Sequence, residues 1–176
     1  MRELTRLRAP RLWAGAWNNL GSALRTLGEL NGHAALLDQA IEAYRTSLKE
    51  RTREADPSGW AATYYNLAQL LSRLGSRAAE DPTRAGRHLA QAIASARAAQ
   101  RIFTQADKPL RWATLQNLIG YDLVLLGEQT DALPLFEEAV PILRQALEVQ
   151  QALQSKSVPF TADSLCRALL GLGERK

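Results

Sequence analysis

Apolar residues recur along this chain at helical spacing, and the stripe they form is copied. Trp13, Trp60 and Trp112 each open a similar segment. Seven residues on comes Leu20, Leu67 or Ile119, and the next position holds Gly21, Ala68 or Gly120. Eleven residues on lies Leu24, Leu71 or Leu123. Fourteen and fifteen on is a Leu-Gly pair: Leu27-Gly28, Leu74-Gly75 or Leu126-Gly127. Thr and Pro precede each Trp by eight and three residues, as Thr5/Pro10, Thr52/Pro57 and Thr104/Pro109. Offsets of 0, 4, 7, 8, 11 and 14 trace one face of an α-helix. Pro three residues before the Trp suits a first helical turn, with Asp56 as an N-cap in the second copy. Gly at offset fifteen is where a left-handed residue is expected to end the helix.

A fourth copy follows the same offsets at Val158, Ala162, Leu165, Cys166, Leu169 and Leu172-Gly173, with Val in place of Trp. Between copies runs a second amphipathic helix, anchored at Ala40-Ile41, Ala92-Ile93 and Ala139-Val140. Each anchor stands 20, 20 and 19 residues before the next copy. The Gly-to-Ala distances of 12, 17 and 12 put five extra residues in the second copy, around Ser76 to Pro82. The expected helices are roughly 10–27, 33–54, 57–74, 82–106, 109–126, 131–153 and 158–172. Small residues at Gly21, Ala68 and Gly120, set against Ala40, Ala92 and Ala139, are expected to let paired helices approach closely. One such hairpin cannot bury its apolar stripe alone, so neighbours must stack. The last helix is expected to bury Leu165, Leu169 and Leu172, with Cys166 as an inert thiol in its small-residue slot. The segment Arg2 to Arg6 echoes Lys49 to Arg53. This suggests that the chain opens in the tail of a preceding helix, as part of a longer array or as an array that has lost its first half-repeat.

The pattern resembles the tetratricopeptide repeat: a bulky aromatic, a Leu-Gly pair, then a helix with Ala and an aromatic four residues on. In the first copy these are Trp17, Leu20-Gly21, and Ala40 with Tyr44. The run Asn18 to Gly28 is similar to a long-period bacterial form of the repeat. The resemblance implies an all-α, right-handed α-α superhelix of three helical hairpins plus a C-terminal solitary helix. Residues 1–176 would then form a single helical-repeat domain, with repeats at about 10–56, 57–108 and 109–155 and a last helix at 158–173. In that family the first helix of each repeat lines a concave surface. Carried onto this chain, the inner positions are Asn18, Asn19, Ser22, Arg25 and Thr26, then Tyr65, Asn66, Gln69, Ser72 and Arg73. In the third copy they are Asn117, Leu118, Tyr121, Val124 and Leu125. The first two sets are polar and the third is apolar, or alternatively packs on neighbouring helices. Such a groove suits an extended peptide or a helix with a hydrophobic anchor. A clamp for a C-terminal carboxylate is not expected, because Asn18, Thr114 and Leu118 stand where it needs Lys and Arg.

Charge adds one competitor. The net charge is +4, but unevenly spread: residues 1–111 hold 17 basic and 10 acidic side chains, residues 112–176 hold 5 and 8. The helix expected over 82–106 carries Arg84, Arg87, Arg97 and Arg101 with no acidic residue, the best nucleic-acid feature of the chain. It lacks interleaved aromatics and belongs to the outward set of helices, so nucleic acid is the lesser reading. The charge asymmetry also makes end-to-end stacking of copies an alternative. His33 and His88 have no partner at metal spacing, and Glu137-Glu138 are adjacent and so point apart. No phosphate loop, paired-glycine fingerprint or nucleophile order appears, so no enzymatic activity, cofactor or metal is expected. No run approaches a membrane span and no secretory signal is visible, which suggests a cytoplasmic protein with one reduced cysteine. The function read from the sequence is a non-catalytic protein-interaction scaffold whose partner is a protein or peptide. Pro141 falls inside the sixth helix and should bend it.

Overall fold

The computed structural model describes residues 6–78 and 80–173, so the echo at Arg2 to Thr5 lies outside the described residues. These fold into seven helices: α1 Pro10–Asn31, α2 Ala34–Leu48, α3 Pro57–Arg77, α4 Pro82–Gln100, α5 Pro109–Thr130, α6 Leu133–Ala152 and α7 Val158–Gly173. They pack as consecutive hairpins, α1–α2, α3–α4 and α5–α6, with α7 against α6 and α5. The protein is an all-α helical repeat.

The first helix of each hairpin, and α4, start as their sequence directs. Pro10, Pro57, Pro82 and Pro109 occupy the first turns, where a missing N–H costs nothing. Asp56 caps α3 by accepting from Gly59 N at 3.0 Å. The threonines eight residues before Trp60 and Trp112 have a local role. Asp56 N donates to Thr52 O at 3.0 Å, and Lys108 N donates to Thr104 O at 2.9 Å. These turns feed the next helix. They also end α2 at Leu48 and α4 at Gln100, about six residues short of the sequence expectation.

The first helices of the hairpins err the other way. Gly28, Gly75 and Gly127 were expected to terminate them, yet α1, α3 and α5 run on to Asn31, Arg77 and Thr130. A Cβ added at these glycines would lie 2.6 Å from Leu37, 2.6 Å from Leu89 and 2.8 Å from Phe136. They are therefore sites of close helix approach inside the helix. The left-handed residues come later, at Gly32 (φ 66°) and Asp131 (φ 54°).

A regular contact line results. Offsets 1, 8 and 15 from the Trp face the following helix: Ala14, Gly21 and Gly28; Ala61, Ala68 and Gly75; Ala113, Gly120 and Gly127. All nine are buried. The side chains pressing on Gly21 and Gly120 are Tyr44 and Leu143, one helical turn beyond the alanines that the sequence suggested. On the second helices the knobs repeat every seven residues: Leu37 and Tyr44, Leu89 and Ala96, Phe136 and Leu143. The next position in each row reaches the following hairpin. Arg51 donates to Thr63 Oγ1 at 3.0 Å, and Thr161 Oγ1 donates to Gln150 Oε1 at 2.7 Å. Between them, Phe103 and Leu115 share one apolar cluster.

The core is continuous from Leu37 and Tyr44 at one end to Phe136 and Leu143 at the other, with Leu118 packed against both of its clusters. Phe136, fully buried, is wedged between Gly127 of α5 and Gly171 of α7. Leu165 and Leu172 pack on this cluster as expected. Leu169 does not: it is 41% exposed. Cys166, expected to be buried, is exposed too. Both fall on the side of α7 that no described helix covers.

Candidate functional site

The inner positions of α1, α3 and α5 form a polar ladder that fades into an apolar pocket. At its α1 end the amides satisfy one another. Asn66 Nδ2 donates to Asn18 Oδ1 at 3.2 Å, and Asn18 Nδ2 reaches Asn19 Oδ1 at 3.4 Å. Arg25 Nη1 donates to Gln69 Oε1 at 3.2 Å, and Arg73 pairs with Glu29 at 2.8 Å. Tyr65 lies beside Gln69, its phenol held above the usual value by burial. These bonds tie α1 to α3. Asn18 and Asn66 are therefore engaged in the hairpin-to-hairpin seam, while Asn19 is exposed.

Further along, a cleft of about 350 Å³ opens between α3, α5 and α7. Gln69, Ser72, Arg73 and Ser76 form one wall; Thr114, Asn117, Leu118 and Tyr121 form the other; Phe160 of α7 closes the end. Tyr121 and Phe160 lie 5.3 Å apart in a tilted pair, and the Arg167 guanidinium sits 5.8 Å from the Tyr121 ring. Such geometry suits an apolar side chain inserted beside aromatic faces.

Two buried polar groups stand at this cleft. Asn117 is 7% exposed, and its Oδ1 has no hydrogen-bond partner. A buried acceptor without a donor costs about 1–3 kcal/mol. Behind it, Asp122 is fully buried, accepts from Ser72 Oγ at 2.5 Å, and has its other oxygen unpartnered. Burial holds this carboxyl well above the usual range, with the Ser72 bond only partly opposing it.

Six sequence-predicted residues therefore come together at the cleft: Gln69, Ser72, Arg73, Asn117, Leu118 and Tyr121. Asn18, Arg25, Tyr65 and Asn66 stand in the ladder beside it, and Leu125 is half-buried outside it. Val124, read as an inner residue, is fully buried in the core instead. Phe160 was missed. It occupies the same offset in the fourth copy as Thr114 in the third, so carrying the register into α7 finds it.

Two segments match the tetratricopeptide repeat, residues 13–54 and 112–152. They begin at Trp13 and Trp112, and each spans one helical hairpin. Tetratricopeptide repeats are typically protein–protein interaction modules and are generally not catalytic. Among solved structures, a de novo designed helical repeat protein aligns over 92% of this chain and 80% of its own, at 17% identity and a TM-score of 0.40. No curated protein matches the chain.

The outer surface of the helical array is less basic than α4 alone suggests. Arg97 pairs with Glu138 of α6, and Arg84 lies 3.8 Å from Asp38 of α2. A cleft there, about 370 Å³, gathers Arg45, Arg84, Arg87 and His88, but also Asp38 and Glu42. Burial, then Arg84, lowers the His88 pKa. Among the described residues, no three His, Cys, Asp or Glu side chains converge as a metal site, and no helix is long and apolar enough to cross a membrane.

Proposed function

We propose that this chain is a non-catalytic interaction module, a long-period form of the tetratricopeptide repeat, that captures an extended peptide or helix in its inner groove. The observation that carries the reading is the cleft between α3, α5 and α7. It combines an unsatisfied, nearly buried acceptor at Asn117 with an apolar end built from Leu118, Tyr121 and Phe160. With its amide turned outward, Asn117 would accept a ligand backbone N–H through Oδ1. An aliphatic or aromatic side chain two or three residues away would lie against Tyr121 and Phe160. Gln69 and Arg73 would meet ligand carbonyls or a carboxylate along the polar wall.

The charge-paired state of Arg84 and Arg97 supports this groove over a nucleic-acid partner on the outer face, because phosphate attraction needs uncompensated positive charge. A reducing compartment such as the cytoplasm suits the exposed thiol of Cys166.

A phage-displayed random-peptide library tests the reading. Selection on the wild-type chain should enrich peptides with a shared apolar anchor. The same selection on the Asn117→Ala/Tyr121→Ala/Phe160→Ala variant should lose them. Equal enrichment on both proteins would remove the groove from consideration.

A further inference from the structure

Ser72, Ser76 and Thr114 all present hydroxyls along the cleft between α3, α5 and α7. Two of them are committed to their own helices. Ser76 Oγ donates to Arg73 O at 3.1 Å, and Thr114 Oγ1 donates to Leu110 O at 2.8 Å. Ser72 differs. Its Oγ lies 2.5 Å from Asp122 Oδ1 of α5, and among the described residues it makes no bond to a backbone carbonyl. Asp122 is fully buried, and its Oδ2 has no partner.

The carboxyl's proton decides which way this bond runs. An ionised Asp122 can only accept, so the Ser72 O–H donates to it and is withheld from the cleft. In the neutral acid, a proton on Oδ2 would be a buried donor with nothing to meet. On Oδ1 it donates to Ser72 Oγ, and the oxygen left unpaired is a carbonyl, which tolerates this better than a donor does. The Ser72 hydroxyl hydrogen is then free to turn outward. Burial raises the carboxyl's pKa and the Ser72 bond opposes it; no charge from α3, α4, α6 or α7, the helices packed on α5, enters. The charged groups of the cleft are engaged elsewhere, Arg73 with Glu29 of α1 and Arg167 of α7 with Glu128 of α5. Tyr121, the other titratable side chain there, packs on Phe160.

We propose that Asp122 is a positioning residue: as a neutral acid it turns the Ser72 hydroxyl hydrogen into the cleft, and Ser72 becomes the donor that selects a carbonyl oxygen of the bound peptide. This rests on the groove reading and extends it. Asn117 on the α5 wall supplies an acceptor and Ser72 on the α3 wall a donor, the pair that a peptide backbone complements. Ionisation of Asp122 reverses the Ser72 bond, sets oxygen lone pairs against the ligand carbonyl and weakens capture.

The probe is a library-selected peptide that the Asn117→Ala/Tyr121→Ala/Phe160→Ala variant fails to bind, titrated calorimetrically into the full chain across a pH series. Wild-type affinity should be constant in acid and fall about two- to tenfold as Asp122 ionises, the worth of one hydrogen bond. Ser72→Ala should bind weakly by the same factor in acid and follow pH no further. Asp122→Asn, whose amide donates to Ser72 at every pH, should keep the acid-side affinity throughout; a purely structural role for Asp122 would not give this rescue. By reciprocity the peptide should shift the Asp122 titration upward by the same factor, read from its carboxyl 13C resonance. Without peptide, neutron diffraction from deuterated crystals grown in acid should show a deuteron on Asp122 Oδ1 and the Ser72 deuteron directed into the cleft. A Ser72 deuteron directed at Asp122 or at a carbonyl of α3 overturns the proposal, as does pH dependence that persists in Asp122→Asn. A groove-dependent peptide whose capture ignores pH in the wild type sinks this proposal alone; the absence of any groove-dependent peptide sinks the groove reading and this proposal with it.

Discussion

Gly120 and Gly86 offer a paired perturbation whose two members should move stability in opposite directions. Both glycines are inside helices, α5 and α4. In an open helix site, Gly→Ala gains about 1 kcal/mol by restricting the unfolded chain. At Gly86 the new Cβ would find its nearest neighbours at 3.8 Å (Leu126) and 3.9 Å (Gln129), which is ordinary contact. Gly86→Ala should therefore stabilise by about 0.5–1 kcal/mol. At Gly120 the Cβ would lie 2.4 Å from Leu143 Cγ and 2.6 Å from its Cδ2, and Leu143 is itself fully buried. Either Leu143 leaves its rotamer or α5 and α6 separate, and overpacking of this kind costs about 1–3 kcal/mol. The net change at Gly120 should be destabilising despite the propensity gain. Urea and thermal unfolding followed by circular dichroism at 222 nm would read both. At this chain length 1 kcal/mol is about 2–4 °C. Leu143→Ala supplies the cross-check. Alone it should cost about 2–5 kcal/mol, and in the Gly120→Ala background clearly less, because the new methyl fills part of the cavity. If Gly120→Ala is as stabilising as Gly86→Ala, the α5–α6 seam is not packed as described.

Phe136→Ala should cost about 3–5 kcal/mol and loosen α7, because Phe136 is the wedge between Gly127 and Gly171; amide exchange in α7 should accelerate more than in α1. Asp122 makes a pH-dependent contribution. Burial raises its folded pKa above the ordinary 3.8, so its stabilising contribution is complete below that value and lost as pH rises through the raised one. Asp122→Asn should accordingly raise the melting temperature at neutral pH and change it little near pH 3; a lower melting temperature at neutral pH would mean that the carboxylate is stabilised there. In a salt titration against generic single-stranded RNA, the chain should show only weak binding, since Arg84 and Arg97 already face carboxylates.

The repeat was legible because its signals are redundant. Trp, Leu-Gly and Pro recur at fixed offsets, so the hairpins and the starts of α1, α3, α5 and α7 follow from spacing, while Asp81-Pro82 marks the start of α4. The ends were harder. Gly28, Gly75 and Gly127 look like caps to a local rule, and only the neighbouring helix shows that their missing Cβ makes room for Leu37, Leu89 and Phe136. The Thr52 and Thr104 turns were visible as repeated residues but not as helix stops. In the candidate site, offsets identified Asn117 and Tyr121. They could not separate Val124, which turns into the core, from Leu125. Nor could they reveal that Asn18 and Asn66 bond each other. Cys166 was misplaced for a related reason: its slot is buried in three copies only because a following helix covers it.

Isothermal titration of a library-selected peptide against three proteins tests groove capture most directly. The proteins are the wild-type chain, the Asn117→Ala/Tyr121→Ala/Phe160→Ala variant, and a variant with Arg84, Arg87, Arg97 and Arg101 reversed to Glu. A lost hydrogen bond to the bound backbone is worth about 0.5–1.5 kcal/mol and each aromatic anchor about 2 kcal/mol. The groove variant should therefore lose at least a hundredfold in affinity while keeping its helix content, and the outer-face variant should bind like wild type. Binding that survives in the groove variant and disappears with the arginine reversal would contradict the inner-groove account and move the partner to the convex face.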